Sequence, residues 1–352
     1  MRFTSKTAVA AAALTSIALA ATSGVTAQAA PLTDASSTAD SQVSASATTV
    51  RFATFNVRTS RADRGTSRAW LKRATSVAQE IKSHNPGIVA IQELGPGRAD
   101  GKATKLNGAI RQTTSLEKKL AAIGAGKYKL TRETAYVAPG TAHATQGARI
   151  LYDSSRYRLV SNCAETTGKS NFNGSCSMDL PNKGGDSKGA TRSAAYAEFE
   201  DRSTGRNFWV ISVHLDTRHG GATAERGNDA LRAAQVAAVY NRVANAADGK
   251  PILFGGDLNS WKTKTGSHAP FNFLRGKGFI DGTVAPSRID DRYPTVNHWT
   301  KTLKANAPGR QVALDVVMAK GATGVSRYEN VMLVTDPSRP SDHNMVFADF
   351  RL

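Results

Sequence analysis

Short strand-like runs, several of them closed by a polar side chain, constrain the fold of this 352-residue chain more than any other feature. Each run is rich in β-branched or aromatic residues and is bounded by turn residues, which is typical of β-strands. The predicted strands are 50–57, 88–92, 148–152, 194–199, 207–213, 252–254, 313–318, 331–334 and 345–350. Because helical segments alternate with these strands, the chain is predicted to form a single α/β domain.

Two of the intervening segments show the apolar spacing of helices. Within residues 66–84 the apolar side chains recur at steps of four, three and four, and a turn at 85–87 ends the segment. These side chains are Trp70, Ala74, Val77 and Ile81. A second helix is predicted over residues 228–246, with one face formed by Leu231, Ala234, Ala238 and Val239.

The first 30 residues have the features of a secretory signal peptide. Arg2 and Lys6 precede an uncharged apolar stretch at residues 8–21, and small residues follow at 27–29. The apolar stretch is too short to span a bilayer comfortably, and no later stretch is apolar enough to form a transmembrane segment. We therefore expect a secreted, extracellular protein.

A change of composition separates this signal peptide from the folded part. Residues 31–48 are rich in Ser, Thr and Ala and cannot bury enough apolar surface to offset the entropy cost of ordering, so they predict a flexible linker. The folded domain is expected over residues 49–352. Because an exported domain meets an oxidising environment, the two cysteines of the chain, Cys163 and Cys176, are expected to form a disulfide.

Residue types that serve in catalysis stand at or beside strand ends in six places. They are Asn56, Glu93, His214, Asp257 with Asn259, Asp315, and Asp342 with His343. Each of them alone is common at a strand end, as a cap or as a solvated side chain. Six in this order are hard to produce by chance, and strands that deliver side chains to one rim are a common way to build an active site.

This set of motifs resembles the endonuclease/exonuclease/phosphatase superfamily, which includes DNase I, exonuclease III-type repair enzymes, bacterial sphingomyelinases and inositol polyphosphate phosphatases. The resemblance covers about residues 50–352, and all of the superfamily's signature positions hold the expected residue type. It implies a four-layer sandwich, in which two mixed β-sheets pack face to face and helices lie outside. It also implies a metal-dependent phosphoric ester hydrolase.

The resemblance further implies that Glu93 is the first ligand of a divalent cation, with Asn56 and Asp342 as neighbouring candidates. Mg²⁺ or Mn²⁺ suits such oxygen ligands, and Ca²⁺ is considered as an assisting ion. A zinc site is disfavoured because the histidines show no close ligand spacing.

The remaining motif residues receive roles from the same resemblance. His343, oriented by Asp315, accepts a proton from the attacking water or stabilises the pentacovalent phosphate as imidazolium. His214 binds the scissile phosphate and protonates the leaving group. Asp257 orients or deprotonates the nucleophile, and Asn259 holds water or phosphate. Whether Asp257 or the Asp315–His343 pair is the general base stays open.

Three weaker candidates complete the predicted site. Arg149 lies on a strand that the family often uses beside the substrate phosphate, and Asp216 and His219 follow His214 closely. A solvated strand arginine and an ordinary polar loop explain these three residues equally well.

The charge of the chain favours a polyanionic partner. Its 46 Lys and Arg residues outnumber 28 Asp and Glu residues, which gives a formal charge of +18. The basic segment 98–132 directly follows the Glu93 motif, and a second basic stretch follows the Asp257 motif with Lys262, Lys264, Arg275 and Lys277. Such runs are often solvated faces, but beside a site they favour a surface that binds a long polyanion.

These observations predict a nuclease that acts on DNA or RNA by in-line attack of an activated water. A lipid phosphodiesterase of the sphingomyelinase or phospholipase C type is the first alternative, but it needs exposed apolar side chains, whereas the aromatic group at 271–274 resembles a buried helix end. A phosphomonoesterase is the second alternative, and a binding protein that has lost catalysis is the third. The chain is expected to be a monomer.

Overall fold

The computed structural model describes residues 47–102, 106–134, 147–163, 176–182, 192–217, 220–263, 266–307, 312–332 and 339–352. The predicted signal peptide and most of the predicted linker lie outside these ranges. Thr48, the last residue assigned to the linker, is buried and exchanges backbone hydrogen bonds of 3.3 and 2.8 Å with Leu352. Thr48 is therefore already part of the folded domain.

Within the described ranges the strands form two sheets that are covered by helices. The strands are β1 (Thr49–Asn56), β2 (Ile88–Gln92), β3 (Tyr128–Leu130), β4 (Arg149–Asp153), β5 (Tyr157–Leu159), β6 (Ser177–Asp179), β7 (Ser193–Asp201), β8 (Asn207–His214), β9 (Ile252–Asp257), β10 (Ile280–Asp281), β11 (Ser287–Ile289), β12 (Asp315–Lys320), β13 (Gly324–Val331) and β14 (Met345–Arg351). The helices are α1 (Trp70–His84), α2 (Gln112–Ala122), α3 (Ala222–Ala247) and α4 (Ala269–Gly276).

Both sheets are mixed, and each has a parallel pair of strands near its centre. The first sheet has the order β11-β13-β14-β1-β2-β4-β3, and the second has the order β10-β12-β9-β8-β7-β5, with β6 paired to β7. β1 runs parallel to β2, and β8 runs parallel to β9. Because the carboxyl ends of parallel strands meet at one edge of a sheet, Asn56 lies beside the end of β2, and His214 lies beside Asp257.

Three apolar clusters separate four layers of secondary structure. The two sheets face each other across a cluster that includes Phe52 and Leu253. α1 and α2 cover the outer face of the first sheet through residues such as Trp70, while α3 and α4 cover the second through Val239 and Leu274. Each large apolar side chain buried in this way contributes roughly 1.5–3 kcal/mol. The expected four-layer sandwich is confirmed.

The glycines before Asp257 bring neighbouring backbone together. A Cβ atom on Gly255 would lie 2.7 Å from the ring of Phe52 and 3.0 Å from the Cβ of Ala90, both in the facing sheet. A Cβ atom on Gly256 would lie 2.3 Å from the carbonyl oxygen of Val213 in the adjacent strand. Gly255 therefore allows the two sheets to approach closely below the site edge, and Gly256 allows β9 to lie close to β8.

The structure differs from the sequence prediction at β13 and at α2. Of the predicted strand 331–334, Val331 alone lies in a strand, β13, and residues 333–334 lie outside the described ranges. β13 lacks apolar density because its buried positions are Tyr328 and Asn330 among exposed or half-buried polar neighbours. α2 was not predicted because much of its buried face is polar and consists of Gln112, Thr113 and Ser115.

The predicted buried face is confirmed for the first helix and only in part for the second. The four residues predicted for the buried face of α1 are all buried. α3 begins six residues before its predicted start, at Ala222 instead of Asn228, and Ala234 on its predicted buried face is exposed. Polar residues occupy much of the face that α3 does bury.

The predicted disulfide is present. Cys163 and Cys176 are bonded, with their Cα atoms 5.3 Å apart, and both are buried in the cluster between the sheets. The residues between them, 164–175, lie outside the described ranges.

Candidate active site

The predicted site residues meet at one edge of the two sheets. The carboxyl ends of β1, β2, β8 and β9 carry Asn56, Glu93, His214 and Asp257. Asp315 opens β12 directly opposite Asp257, because β12 runs antiparallel to β9. His343 lies just before β14, which is antiparallel to β1. The topology therefore brings residues 287 positions apart in the sequence to a single edge.

Asn56 links the two sheets. Its Nδ2 atom donates to Oε1 of Glu93 at 3.1 Å and to Oδ2 of Asp257 at 3.2 Å. Its Oδ1 atom accepts a hydrogen bond of 3.0 Å from the backbone of Arg58. Asn56 is fully buried, and these bonds hold the two carboxylates close to each other.

Glu93 is presented by an uncommon backbone conformation. Its φ angle of 59° lies in the left-handed region, which non-glycine residues rarely adopt outside functional sites and turns. Its Oε2 atom accepts a hydrogen bond of 3.0 Å from the backbone of Thr59. Burial acts to raise the pKa of Glu93, but hydrogen bonds from Thr59 and Asn56 favour the carboxylate, and the pKa is lowered.

The Asp257–Asn259 motif forms a tight turn. The backbone of Asn259 donates to Oδ1 of Asp257 at 2.8 Å, and Asn259 has a φ angle of 49°. The side-chain amide of Asn259 donates to the carbonyl oxygen of Leu215 at 2.9 Å. Asn259 thus joins the loops after β8 and β9, in addition to any contact that it makes with substrate.

Asp315 and His343 form a buried pair. Nδ1 of His343 lies 3.1 and 3.0 Å from the two carboxylate oxygens of Asp315, which also accepts a hydrogen bond of 2.7 Å from Thr295. Nε2 of His343 points toward Asp257, 3.8 Å from its Oδ2. Burial would lower the pKa of His343, but Asp315 and Asp257 raise it to about 10.

His214 occupies a different electrostatic environment from His343. Its Nε2 atom lies 3.5 Å from Oδ2 of Asp257. Burial, together with the positive charge of Arg192, lowers the pKa of His214 to about 4. The two histidines therefore face one carboxylate in opposite protonation states near neutral pH.

Arg192 is a site residue that the sequence analysis missed. It lies just before β7, and because Ala194 pairs with Val213, the start of β7 is beside His214. The Arg192 side chain is buried, with Nε 3.9 Å from Oδ1 of Asp216. A basic residue at the start of a strand paired to the histidine strand is the signal that could have identified it.

Asp342 is engaged by a neighbouring arginine. Its Oδ2 atom forms an ion pair with Arg58, which also binds Asp63 with an Nε–Oδ2 distance of 2.5 Å. The loop after β1 and the Asp342 turn are therefore joined directly, and Ser341 adds a hydrogen bond of 2.6 Å to the carbonyl oxygen of Asn56.

The sequence of the chain matches a known family model. The model of the endonuclease/exonuclease/phosphatase family matches residues 53–343. The chain belongs to this family. Family members are metal-dependent phosphoric ester hydrolases, and this chain is therefore one of them. No curated protein sequence matches the chain.

Solved structures of the family share the fold. An endonuclease/exonuclease/phosphatase from Bacteroides vulgatus has a TM-score of 0.61 at 21% identity, covering 87% of this chain and 99% of that chain. A mannosyl-6-phosphatase from Bacteroides thetaiotaomicron has a TM-score of 0.59 at 18% identity, covering 86% and 99%. The human Nocturnin catalytic domain has a TM-score of 0.55 at 17% identity, covering 86% and 93%. At these identities the likeness establishes the fold.

Among the residues that the structure describes, two candidates for cation binding lie at this edge. Asp257, Asp315 and His343 offer one atom each within 4.8 Å of one another. In that set, however, His343 is already bonded to both oxygens of Asp315 through Nδ1, and its raised pKa favours a proton over a metal ion. The other candidate is the carboxylate of Glu93, a hard oxygen donor of the kind that Mg²⁺ prefers. The predicted neighbouring ligand Asn56 turns its amide nitrogen toward Glu93, and its Oδ1 atom accepts from the backbone of Arg58.

The three weaker candidates for the site, Arg149, Asp216 and His219, differ in where they lie relative to it. Arg149 is buried opposite Ile91, at the site end of β4. Asp216 is buried beside Arg192 and bonded to Gln235, so it supports the site from behind. His219 lies outside the described residues.

The basic segments only partly flank the site, contrary to prediction. Lys127 and Lys129 lie beside Asp153 and Tyr152, near the amino end of β2 and opposite the Glu93 edge. Lys262 is buried in an ion pair of 2.9 Å with Asp281 and is not part of a binding surface. Sequence proximity to the site loops did not reveal these positions, because the chain leaves the edge along α2 and returns at β3.

Proposed function

We propose that this hydrolase is a secreted nuclease that cleaves phosphodiester bonds of DNA or RNA with Mg²⁺ or Mn²⁺ as cofactor. The observation that carries the proposal is the positive charge of the two loops that follow Asn56 and Glu93. In their described residues these loops, 57–69 and 95–111, contain seven bases and two acids. The bases are Arg58, Arg61, Arg64, Arg68, Arg98, Lys102 and Arg111.

The two loops lie against each other at the site edge. Nη1 of Arg64 donates to the carbonyl oxygen of Lys102 at 3.4 Å, and a Cβ atom on Gly101 would lie 3.3 Å from Cα of Arg61. Arg61, Arg64 and Lys102 are exposed, and Arg111 is half-buried. We call these four residues the basic rim. A rim of this charge beside the site favours a substrate with phosphates on both sides of the scissile bond.

The residues at this edge fit a divalent cation. Glu93 is partly exposed and presents a carboxylate, the kind of oxygen ligand that Mg²⁺ and Mn²⁺ prefer. Asp342 adds negative charge, although Arg58 neutralises part of it. A bound cation would supply charge neutralisation for the phosphoryl oxygens.

The chain's own residues would bind the phosphate, orient the attacking water and stabilise the developing charge. Arg192 and His214 would bind the non-bridging oxygens of the scissile phosphate. Asp257 would accept a hydrogen bond from the attacking water and orient it in line with the leaving oxygen. His343, held through Nδ1 by Asp315, would direct its Nε2 proton at the charge that develops on the phosphoryl group.

The lipid alternative finds less support. Among the described residues the large exposed apolar side chains are Leu71, Ile110, Val284 and Ile289, none of them aromatic. Phe271 and Leu274 are buried in α4, as the sequence predicted. Entry into a membrane interface needs a contiguous apolar surface, so these positions favour a soluble polyanion as substrate.

Export forms the last part of the proposal. The Cys163–Cys176 disulfide is consistent with an oxidising compartment. No helix in the described ranges is long and apolar enough to cross a membrane. Recovery of the protein from the culture medium, with its amino terminus near residue 30, would support export, whereas retention of the full-length chain in cells would contradict it.

Hydrolysis assays test the substrate. The purified protein is incubated with plasmid DNA, single-stranded RNA, sphingomyelin vesicles and p-nitrophenyl phosphate, first with Mg²⁺ and then with excess EDTA. We expect EDTA-sensitive cleavage of DNA or RNA that is much faster than release of phosphocholine or p-nitrophenol. Faster turnover of the lipid or of the monoester would overturn the nuclease proposal while leaving the family assignment intact.

A further inference from the structure

The two halves of α3 bury different kinds of side chain. Val239 and Val243 in the second half belong to the apolar cluster beneath the helix. Asp229 and Arg232 in the first half, and Gln235 just after it, are also buried, although they are charged or polar. Burial of such groups is costly unless they are hydrogen-bonded, so their partners indicate what this half of the helix does.

Arg232 is bonded to the loop that carries the Asp257–Asn259 motif. Its side chain is fully buried, and Nε donates to Oγ of Ser260 at 2.6 Å. Nη2 forms an ion pair with Glu225 and lies 3.6 Å from Oδ1 of Asp229. Ser260 in turn donates to the same Asp229 oxygen at 3.1 Å. The residue directly after Asn259 is therefore held from two sides.

Asp229 also holds the far end of this loop. Its carboxylate accepts hydrogen bonds from the backbone N–H groups of His268 at 3.1 Å and of Ala269 at 3.0 Å, at the start of α4. The backbone of Trp261 donates to Ser267 at 2.7 Å across the base of the loop. Both ends of the loop after β9 are thus anchored to α3.

Gln235 anchors the loop that follows His214. Its Oε1 atom accepts a hydrogen bond of 3.0 Å from the backbone of Asp216, and its Nε2 atom donates to Oδ2 of Asp216 at 2.6 Å. Nε2 also donates to the carbonyl oxygen of Pro181 at 2.8 Å. This two-point contact fixes the residue that lies two positions after His214.

The two anchored loops are bonded to each other. The backbone of Leu215 donates to the carbonyl oxygen of Asp257 at 3.0 Å, and the side chain of Asn259 donates to the carbonyl oxygen of Leu215 at 2.9 Å. A shift of one loop would therefore be transmitted to the other, and to both His214 and Asp257.

We infer that Asp229, Arg232 and Gln235 are positioning residues that hold His214 and Asp257 in the geometry for phosphoester hydrolysis. They do not touch the reacting atoms. Their effect passes through Ser260 and Asp216, on one helix that serves both loops. The inference rests on the proposed phosphodiester hydrolysis only through the choice of assay substrate.

Kinetics on a small phosphodiester, bis(p-nitrophenyl) phosphate, test the inference. Arg232→Met is expected to lower kcat by about 10²-fold with KM changed by less than about threefold, because a displaced site binds substrate but is misaligned for attack. Ser260→Ala should give a similar loss. The double variant should be no slower than the slower single variant, because both changes break the same contact.

Two further variants separate positioning from folding. Arg232→Lys keeps a positive charge between Glu225 and Asp229 and should fold, but it lacks the Nε donor, so its kcat should stay low. Val243→Ala opens a cavity under the same helix and should lower the Tm without changing kcat. A wild-type kcat in Arg232→Lys and Ser260→Ala, or an equal loss in Val243→Ala, would overturn the inference.

Hydrogen exchange supplies a readout that needs no substrate. Amide exchange over residues 255–262, measured by mass spectrometry, should be faster in Arg232→Met and Ser260→Ala than in Val243→Ala. Equal exchange in all three would contradict positioning by α3. If the wild-type protein cleaves only p-nitrophenyl phosphate, the nuclease proposal fails, and the same ratios measured on that monoester still decide the inference.

Discussion

The side-chain amide of Asn56 donates a hydrogen bond of 3.2 Å to Oδ2 of Asp257, and the two residues belong to different sheets. The same nitrogen atom donates to Glu93 at 3.1 Å. One fully buried amide therefore sets the separation between the proposed metal ligand and the carboxylate of the second sheet. The position of the site depends on how the sheets meet as well as on the strands themselves.

Asn56→Ala should therefore reduce activity more than it reduces stability. Loss of the amide frees two carboxylates to separate, and we expect kcat to fall by about 10²-fold. The buried partners left without a donor should lower the free energy of unfolding by about 1–3 kcal/mol. Steady-state kinetics and urea unfolding measure the two effects. Asn207→Ala, which removes a 2.9 Å bond to Glu198 at the other end of β8, should leave kcat unchanged.

Asp315→Asn should disable His343 while preserving its position. An amide cannot stabilise the imidazolium as a carboxylate does, and we expect kcat to fall by about 10²–10⁴-fold. Asp281→Asn is the matched control, because Asp281 is also a buried aspartate paired with a cation, Lys262. That control should lose stability and keep its kcat per folded molecule. Similar kcat values for the two variants would remove Asp315 from the catalytic machinery.

Charge reversal on the basic rim should weaken binding of nucleic acid in a salt-dependent way. Arg61→Glu combined with Arg64→Glu should raise KM for DNA and flatten the plot of log affinity against log salt, because each lost phosphate contact removes a slope of about 0.9. Lys127→Glu combined with Lys129→Glu reverses the same number of charges at the far end of the sheet and should have little effect. Equal losses of DNA affinity in the two double variants would show that binding depends on net charge and not on the position of the basic rim.

A buried carboxyl group remote from the site should make stability depend on pH. Burial raises the pKa of Glu80 to about 8, whereas the same carboxyl in the unfolded chain titrates near its usual value of about 4.3. The unfolded state therefore loses this proton first, and the contribution of Glu80 to stability is full below about pH 4 and is lost as the pH rises toward 8.

Glu80→Gln should remove that dependence. We expect its stability relative to the wild type to increase by at least about 1 kcal/mol between pH 5 and pH 8. Thermal or urea unfolding at both pH values measures the difference. Glu200→Gln alters a half-buried carboxylate whose pKa is lowered by its hydrogen bond with Arg158, so Glu200 is ionised at both pH values and the stability difference from wild type should be the same at both. The same change in stability between pH 5 and pH 8 in Glu80→Gln and in the wild type would contradict the raised pKa of Glu80.

The sequence predicted the elements that have regular apolar patterns. α1 was identified from residues such as Trp70 and Ile81, and most core strands from their β-branched runs, because burial of these residues determines both the pattern and the element. α2 and β13 were missed because their buried faces include polar residues such as Gln112 and Asn330. These two side chains are held by tertiary hydrogen bonds, which periodicity does not reveal.

The site residues at strand ends could be predicted from the sequence, but the residues that contact and position them could not. Asn56 and Asp257 follow recognisable runs, whereas Arg192 and Arg232 acquire their relation to the site only when β7 pairs with β8 and α3 packs beneath the loops. The same limit applies to the basic segment, because sequence proximity did not show that Lys129 lies at the opposite end of the sheet.

The most direct test of the account is the Mg²⁺-dependent cleavage of plasmid DNA by Glu93→Gln compared with the wild type. Glutamine keeps the size and the left-handed backbone position of residue 93 but removes its negative charge. We expect EDTA-sensitive cleavage by the wild type, a loss of at least about 10²-fold in the variant, and an unchanged Tm without metal. Cleavage at the wild-type rate by Glu93→Gln, or cleavage that persists in EDTA, would contradict a metal-dependent site at this edge.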